Sequence, residues 1–129
     1  MKKAIIIATV LFAAILQMTA QETAVPKIVF EETVFNFDTI MQNGEAEHVF
    51  RFVNEGDAPL LVTSAFSSCG CVVPEWPRKP IAPKARGNIK VRYNTSKSGM
   101  FTKVIIVKSN DADSPQTVLR INGVVMAPL

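Results

Sequence analysis

From Val25 onward apolar and polar positions alternate in short bursts, and no sustained apolar stripe at helical spacing interrupts them. Period-two alternation marks a half-buried strand, because successive side chains leave opposite faces of the backbone. Gly87 to Tyr93 shows it cleanly, with Ile89, Val91 and Tyr93 on one face and Lys90 and Arg92 on the other. Ala46 to Asn54 repeats it: His48, Phe50 and Phe52 oppose Glu47, Val49, Arg51 and Val53. Lys27 to Glu31 and Val34 to Phe37 are rich in β-branched and aromatic residues, which suit a pleated surface. Leu60 to Phe66, Phe101 to Lys108 and Val118 to Val125 complete a set of about seven predicted strands. Turn chemistry separates them. Asn43-Gly44 tolerates positive φ and predicts a hairpin, while Asn54 to Pro59, Ser96 to Gly99 and Ser109 to Pro115 are polar turns. Short strands with a turn roughly every 8–12 residues and no helix predict an all-β sandwich, with a small closed barrel as the alternative.

One segment breaks the pattern. Pro74, Pro77, Pro80 and Pro83 recur at the three-residue period of polyproline II. Proline cannot donate to a sheet ladder, so this stretch is expected at an edge or between sheets. Two readings stand: a ridge that displays Trp76, with Pro74 and Pro77, to a partner, or a stiff crossover that tucks Trp76 or Ile81 over the sandwich edge and discourages edge pairing.

The chain starts Met1-Lys2-Lys3 and continues almost without a polar residue to Leu16. Two lysines before about 13 apolar residues fit a secretory signal peptide and fall short of a membrane span. Residues 1–20 are therefore read as a signal peptide cleaved after Ala20, and 21–129 as one domain; an uncleaved N-terminal anchor is the alternative. Lys2 and Lys3 leave with the signal, so Lys plus Arg falls from 14 to 12 against 11 acidic residues, and the net charge from +3 to +1. No basic cluster remains to neutralise a row of phosphates, which argues against nucleic-acid binding. No membrane span is expected after cleavage. The predicted location is the periplasm or exterior of a bacterium.

The only cysteines, Cys69 and Cys71, flank Gly70. On an extended strand their Cα atoms would be about 6–7 Å apart, at or past the limit for a bridge. A bend at Gly70, which glycine permits, would bring them into range. Closing three residues contributes only roughly 1.6 kcal/mol in the chain-entropy model. The pair is left open between a local structural disulfide, a redox-labile bridge, a two-thiolate site for a soft ion such as Cu(I), and a partner cross-link or inert thiols. A closed Zn²⁺ site would need more ligands than these two and His48. No cofactor is expected. Met41, Met100 and Met126 are read as core fillers, and His48 as a rim residue of the core. Arg51 or His48 would tune the thiols only if the fold brought them close. Glu31, Glu32, Asp111 and Asp113 are assigned to solvated ends and turns, so no catalytic constellation emerges.

A series of motifs adds a family resemblance. Phe37-Asp-Thr-Ile40, His48 to Asn54 with Gly56, Pro59-Leu60, Ser68-Cys-Gly-Cys71, Ile81-Ala-Pro83, Val91-Arg-Tyr93 and Ser109-Asn110 fall in an order that resembles the bacterial domain-of-unknown-function 1573 family. That family is similar to the immunoglobulin-like domains of the major sperm protein and ASPM/SPD-2/Hydin type. The resemblance implies an exported immunoglobulin-like sandwich acting as an interaction or assembly module for another exported or cell-envelope protein, and it supplies no reaction. Lys84 departs from the pattern, where such domains often carry glycine after the proline. A thiol-based redox or copper-handling role for Cys69 and Cys71 is the competing expectation.

Overall fold

Two four-stranded sheets face each other in the computed structural model, which describes residues 23–129. The expected signal segment lies outside these residues. The strands are β1 (Ile28–Phe30), β2 (Val34–Met41), β3 (Glu47–Asn54), β4 (Val62–Phe66), β5 (Val72–Glu75), β6 (Arg86–Tyr93), β7 (Gly99–Ser109) and β8 (Gln116–Met126). One sheet has the order β1-β3-β6-β5 and the other β2-β8-β7-β4. All pairings are antiparallel except β2 with β8, which is parallel. The chain is an all-β, immunoglobulin-like sandwich. No described residue forms a helix long and apolar enough to cross a membrane.

The alternation read from the sequence sets the core. Phe50 and Phe52 of β3, Ile89 and Val91 of β6, Ile105 of β7 and Leu119 and Ile121 of β8 have no exposed surface. Each such side chain contributes about 1.5–3 kcal/mol relative to exposure, so these strands carry most of the stabilisation. Tyr93 stacks on Phe101 at 3.9 Å between centroids, joining the two sheets near one end.

The described residues form eight strands, and the additional one is β5. Its Pro74 hides a strand in a proline-rich sequence, and it is tolerated because β5 pairs only with β6 and forms the sheet edge. Asn43 has φ of 66°, as its turn chemistry predicts, but the turn is no hairpin. It carries the chain from β2 in one sheet to β3 in the other. Leu60 precedes β4 and meets Ile81 in an isolated antiparallel bridge.

Asn54 organises the opposite end. Its side chain is fully buried, and its Oδ1 accepts from Lys27 N at 3.2 Å and Gly56 N at 3.0 Å. Its Nδ2 donates to Ala58 O at 2.8 Å and Ile81 O at 3.0 Å. One amide thus ties together the segment entering β1, the 54–58 turn and the Leu60–Ile81 bridge. Gly56 is enforced by proximity, since a Cβ there would lie 2.2 Å from Val25 O.

Lys84 closes the same end with φ of 67°, the left-handed region in which glycine is at ease. This is the position where glycine was noted as the more usual residue. The Lys84 N–H donates to Asn54 O at 2.7 Å, which fixes the conformation. Replacement of Lys84 by glycine is expected to stabilise the domain by about 0.5–1 kcal/mol, less the Nζ hydrogen bond to Glu55 O. Chemical denaturation of the two proteins measures the difference, and a less stable variant would contradict the assignment.

Candidate functional site

The Cys-Gly-Cys segment occupies a corner where the chain leaves β4 of one sheet and enters β5 of the other. A turn forms there, with Val72 N donating to Cys69 O at 3.4 Å, and it shortens the Cα separation of Cys69 and Cys71 to 5.3 Å. That is within bridging range, and the two cysteines are joined by a disulfide. Gly70 is less constrained than its place between the cysteines suggested. It is not in the left-handed region, and a Cβ there would meet nothing within 4 Å. The bend is made by the turn and does not demand glycine.

The backbone fastens the corner independently of the sulfurs. Asn94 N donates to Cys71 O at 2.8 Å, and Val72 continues directly into the β5–β6 ladder opposite Tyr93. The Cys71 N–H points back at Cys69 Sγ at 3.2 Å. Both cysteines are half-buried. They form a ridge between two clefts. The smaller, of about 290 Å³, is lined by both cysteines with Tyr93, Asn94, Lys97 and Lys103. The larger, of about 580 Å³, runs past Cys71 and Val73 to Glu47 and Arg92. Glu47 is held below the usual carboxylate range by hydrogen bonds from Arg92 and then Lys90, and Arg92 is raised in turn by the Glu47 carboxylate. These ion pairs are exposed, so Glu47 is only weakly coupled to Arg92 and Lys90.

The remaining predicted residues lie elsewhere. His48 stacks on Phe35 at 3.6 Å, meets Phe50 edge-on and contacts Glu32 through Nε2 at 2.5 Å. It sits with Glu31, Glu32, Val49 and Arg51 in a separate cleft, so neither His48 nor Arg51 lines the cysteine clefts. Trp76 is half-buried against the core with the Arg78 guanidinium 3.9 Å above its ring, and Pro74 lies in β5 with Pro77 just beyond its end. Asp111 was misread. It is 2% exposed and fastens β1 by accepting from Ile28 N at 3.0 Å, while its other oxygen accepts from Asp113 N and Ser114 N. In the bridged form neither sulfur is a thiolate able to ligate a soft ion. Among the described residues no group of three His, Cys, Asp or Glu side chains gathers as a metal site.

The sharpest departure concerns the methionines. Met41, Met100 and Met126 are 56%, 88% and 51% exposed, so none fills the core. By strand parity they stand on the outer face of the β2-β8-β7-β4 sheet, together with exposed Val34, Phe66 and Val118. Registers gather them into two groups on this face: Met41 opposite Met126 with Met100 beside Val124 at one end, and Phe66, Ile106 and Val118 in line with Val34 nearby at the other, divided by the polar row Asn36, Asn122 and Thr102. Lys108 and Arg120 are the charged residues of this face on the three strands β4, β7 and β8, and Lys108 Nζ lies 5.4 Å from the Phe66 ring. A patch of this kind is the usual mark of a contact surface.

Residues 28–125 match the family model described as "Protein of unknown function (DUF1573)". Comparison with curated proteins finds no match. Among solved structures, a protein of unknown function from Porphyromonas gingivalis W83 superposes with a TM-score of 0.67 at 15% identity, over 83% of this chain and 49% of that one. The ASH/PapD-like domain 7 of human CEP192 gives 0.63 at 9% identity, over 86% and 93%. The VesB protease of Vibrio cholerae gives 0.61 at 14% identity, over 88% and 34%. The chain therefore spans about half of the first of these structures and a third of the protease. At these identities the likeness is one of fold.

Proposed function

Because the chain belongs to the DUF1573 family of proteins of unknown function, whose sandwich carries no reaction with it, we propose that it is an exported, non-catalytic interaction module. The observation that carries this reading is the outer face of the β2-β8-β7-β4 sheet. Six of its large apolar side chains are more than two-fifths exposed, and they fall on one face of one sheet. Scattered surface hydrophobics need no explanation, but two apolar groups gathered on one face of one sheet do. Lys108 and Arg120 flank the group formed by Val34, Phe66 and Val118, whereas Asp38 lies beside Met100 at the other end, so the partner surface that fits the first group is apolar with acidic residues around it.

The sheet edges fit this role less well. Of the four edge strands, β2 is interrupted by a bulge between Asn36 and Thr39, with Asp38 at φ of 57°, β4 by a register shift between Val62 and Ser64, β1 has only three residues and β5 carries Pro74. All of these discourage an added strand. The proline ridge with Trp76 is the secondary candidate for contact. Export is supported by the lysine-led apolar start of the chain and by a disulfide, a bond that persists in oxidising compartments.

A photo-crosslinking residue placed at Met100 or Val118, in cells that make the protein, is expected to capture one discrete partner. The same residue at Val73, exposed on the other sheet, should not. Phe66→Glu should abolish the capture while leaving the fold intact. Equal capture from both sheets, or none from Met100 and Val118, would overturn the proposal.

A further inference from the structure

The Cys69–Cys71 bridge has three properties that a structural staple lacks. It closes a loop of only three residues, so it restricts the unfolded chain little. The corner it spans is already held by the Val72, Asn94 and β5–β6 hydrogen bonds, so opening it releases no strand. It is half-exposed on a ridge between two clefts, where a reactant can reach it.

The surroundings also favour one sulfur as a leaving group. Cys69 Sγ receives the Cys71 N–H at 3.2 Å, a bond that strengthens when sulfur carries negative charge. Lys97 and Lys103 line the cleft that contains both sulfurs, and no carboxylate lines it with them. A thiolate produced there is stabilised by both lysines. Tyr93 also lines this cleft, and it is buried and stacked on Phe101.

We infer that the bridge is a thiol–disulfide exchange site that takes electrons from a dithiol of another polypeptide. A thiolate of that dithiol attacks Cys71 Sγ, forming a mixed disulfide and breaking the Cys69–Cys71 bond. Cys69 leaves as a thiolate held by the Cys71 N–H beside Lys97 and Lys103. The second thiolate of the partner then attacks the partner's own sulfur in the mixed disulfide and expels Cys71. The partner departs as a disulfide, and its two electrons reside on Cys69 and Cys71, whose thiolates take up the two protons the dithiol released.

The test uses the purified, bridged protein and a synthetic peptide carrying a reduced Cys-x-x-Cys pair. One equivalent of peptide disulfide should form for each protein, with both cysteines alkylatable afterwards and circular dichroism unchanged. A one-cysteine form of the peptide, which lacks the resolving thiol, should accumulate on Cys71. The double variant Lys97→Ala, Lys103→Ala should react about fivefold more slowly at low salt, and added salt should shrink the difference. A bridge that resists the peptide until denaturant is added, or a peptide found on Cys69, would overturn the inference. So would a double variant that folds normally and reacts at the wild-type rate.

Discussion

Asn54→Ala should lower the stability of this domain by about 3 kcal/mol or more, a fall of roughly 12–20 °C in Tm. The substitution deletes four hydrogen bonds at once and leaves Lys27 N, Gly56 N and Ala58 O without a partner, while Ile81 O keeps the Leu60 N–H. Unsatisfied buried polar groups cost about 1–3 kcal/mol each, and a small domain has only some 5–15 kcal/mol in total. Water can relieve part of the loss at the edge of the site, which keeps the sum below three full penalties. An exposed amide supplies the control. Asn94 caps only the N–H of Ser96, so Asn94→Ala should cost less than about 1 kcal/mol. Urea unfolding of the three proteins decides the point: an Asn54→Ala protein within about 1 kcal/mol of the wild type would show that the amide is not the organiser of this end.

Gly87→Ala should cost about 2–3 kcal/mol, because the new methyl has nowhere to go. Gly87 pairs directly with Phe52 across β3 and β6, and a Cβ there would lie 2.3 Å from Phe52 Cζ and 2.8 Å from Cε2. Phe52 has no exposed surface, and Phe30 packs against it at 5.4 Å between centroids, so the ring cannot swing out. The mechanism has a second consequence. Phe52→Leu alone should cost about 1–1.5 kcal/mol, yet in the Gly87→Ala background it removes the clash. The double variant should therefore be more stable than the sum of the single losses by about 1 kcal/mol or more. Strict additivity in a double-mutant cycle would rule out the steric account.

Much of this architecture was legible because local alternation and burial agree. In β3 and β6 the same period-two pattern that marks a strand also assigns its faces, and Phe50, Phe52, Ile89 and Val91 are buried as that pattern requires. Failures arose where a local signal meets a non-local fact. Pro74 forbids a central strand but permits an edge, and only the sheet order reveals that β5 is one. Asn43-Gly44 specifies a turn but not whether its flanking strands share a sheet. Asp111 sits in a polar loop and is buried by β1, whose Ile28 lies 83 residues earlier in the chain. The methionines were misplaced by composition, although parity held the answer: Met100 precedes inward Phe101, and Met126 follows inward Val125. At the cysteine corner the spacing was enough to pose the question of a bridge. Lys97 and Lys103 reach it from β7 and the loop before it, and sequence proximity gave no sign of them.

The parallel pairing of β2 with β8 also governs when the fold can form. Val34 aligns with Arg120, and β8 lies inside its sheet, between β2 and β7. An emerging chain that lacks residues 116–126 has β2 and β7 with nothing between them, so half the sandwich has no sheet to close. That sheet must wait for residues 116–126, and pairing across so large a loop is slow. Until β8 joins, the β2-β8-β7-β4 sheet is open in its middle and the inner faces of β3 and β6 have no complete layer to pack against.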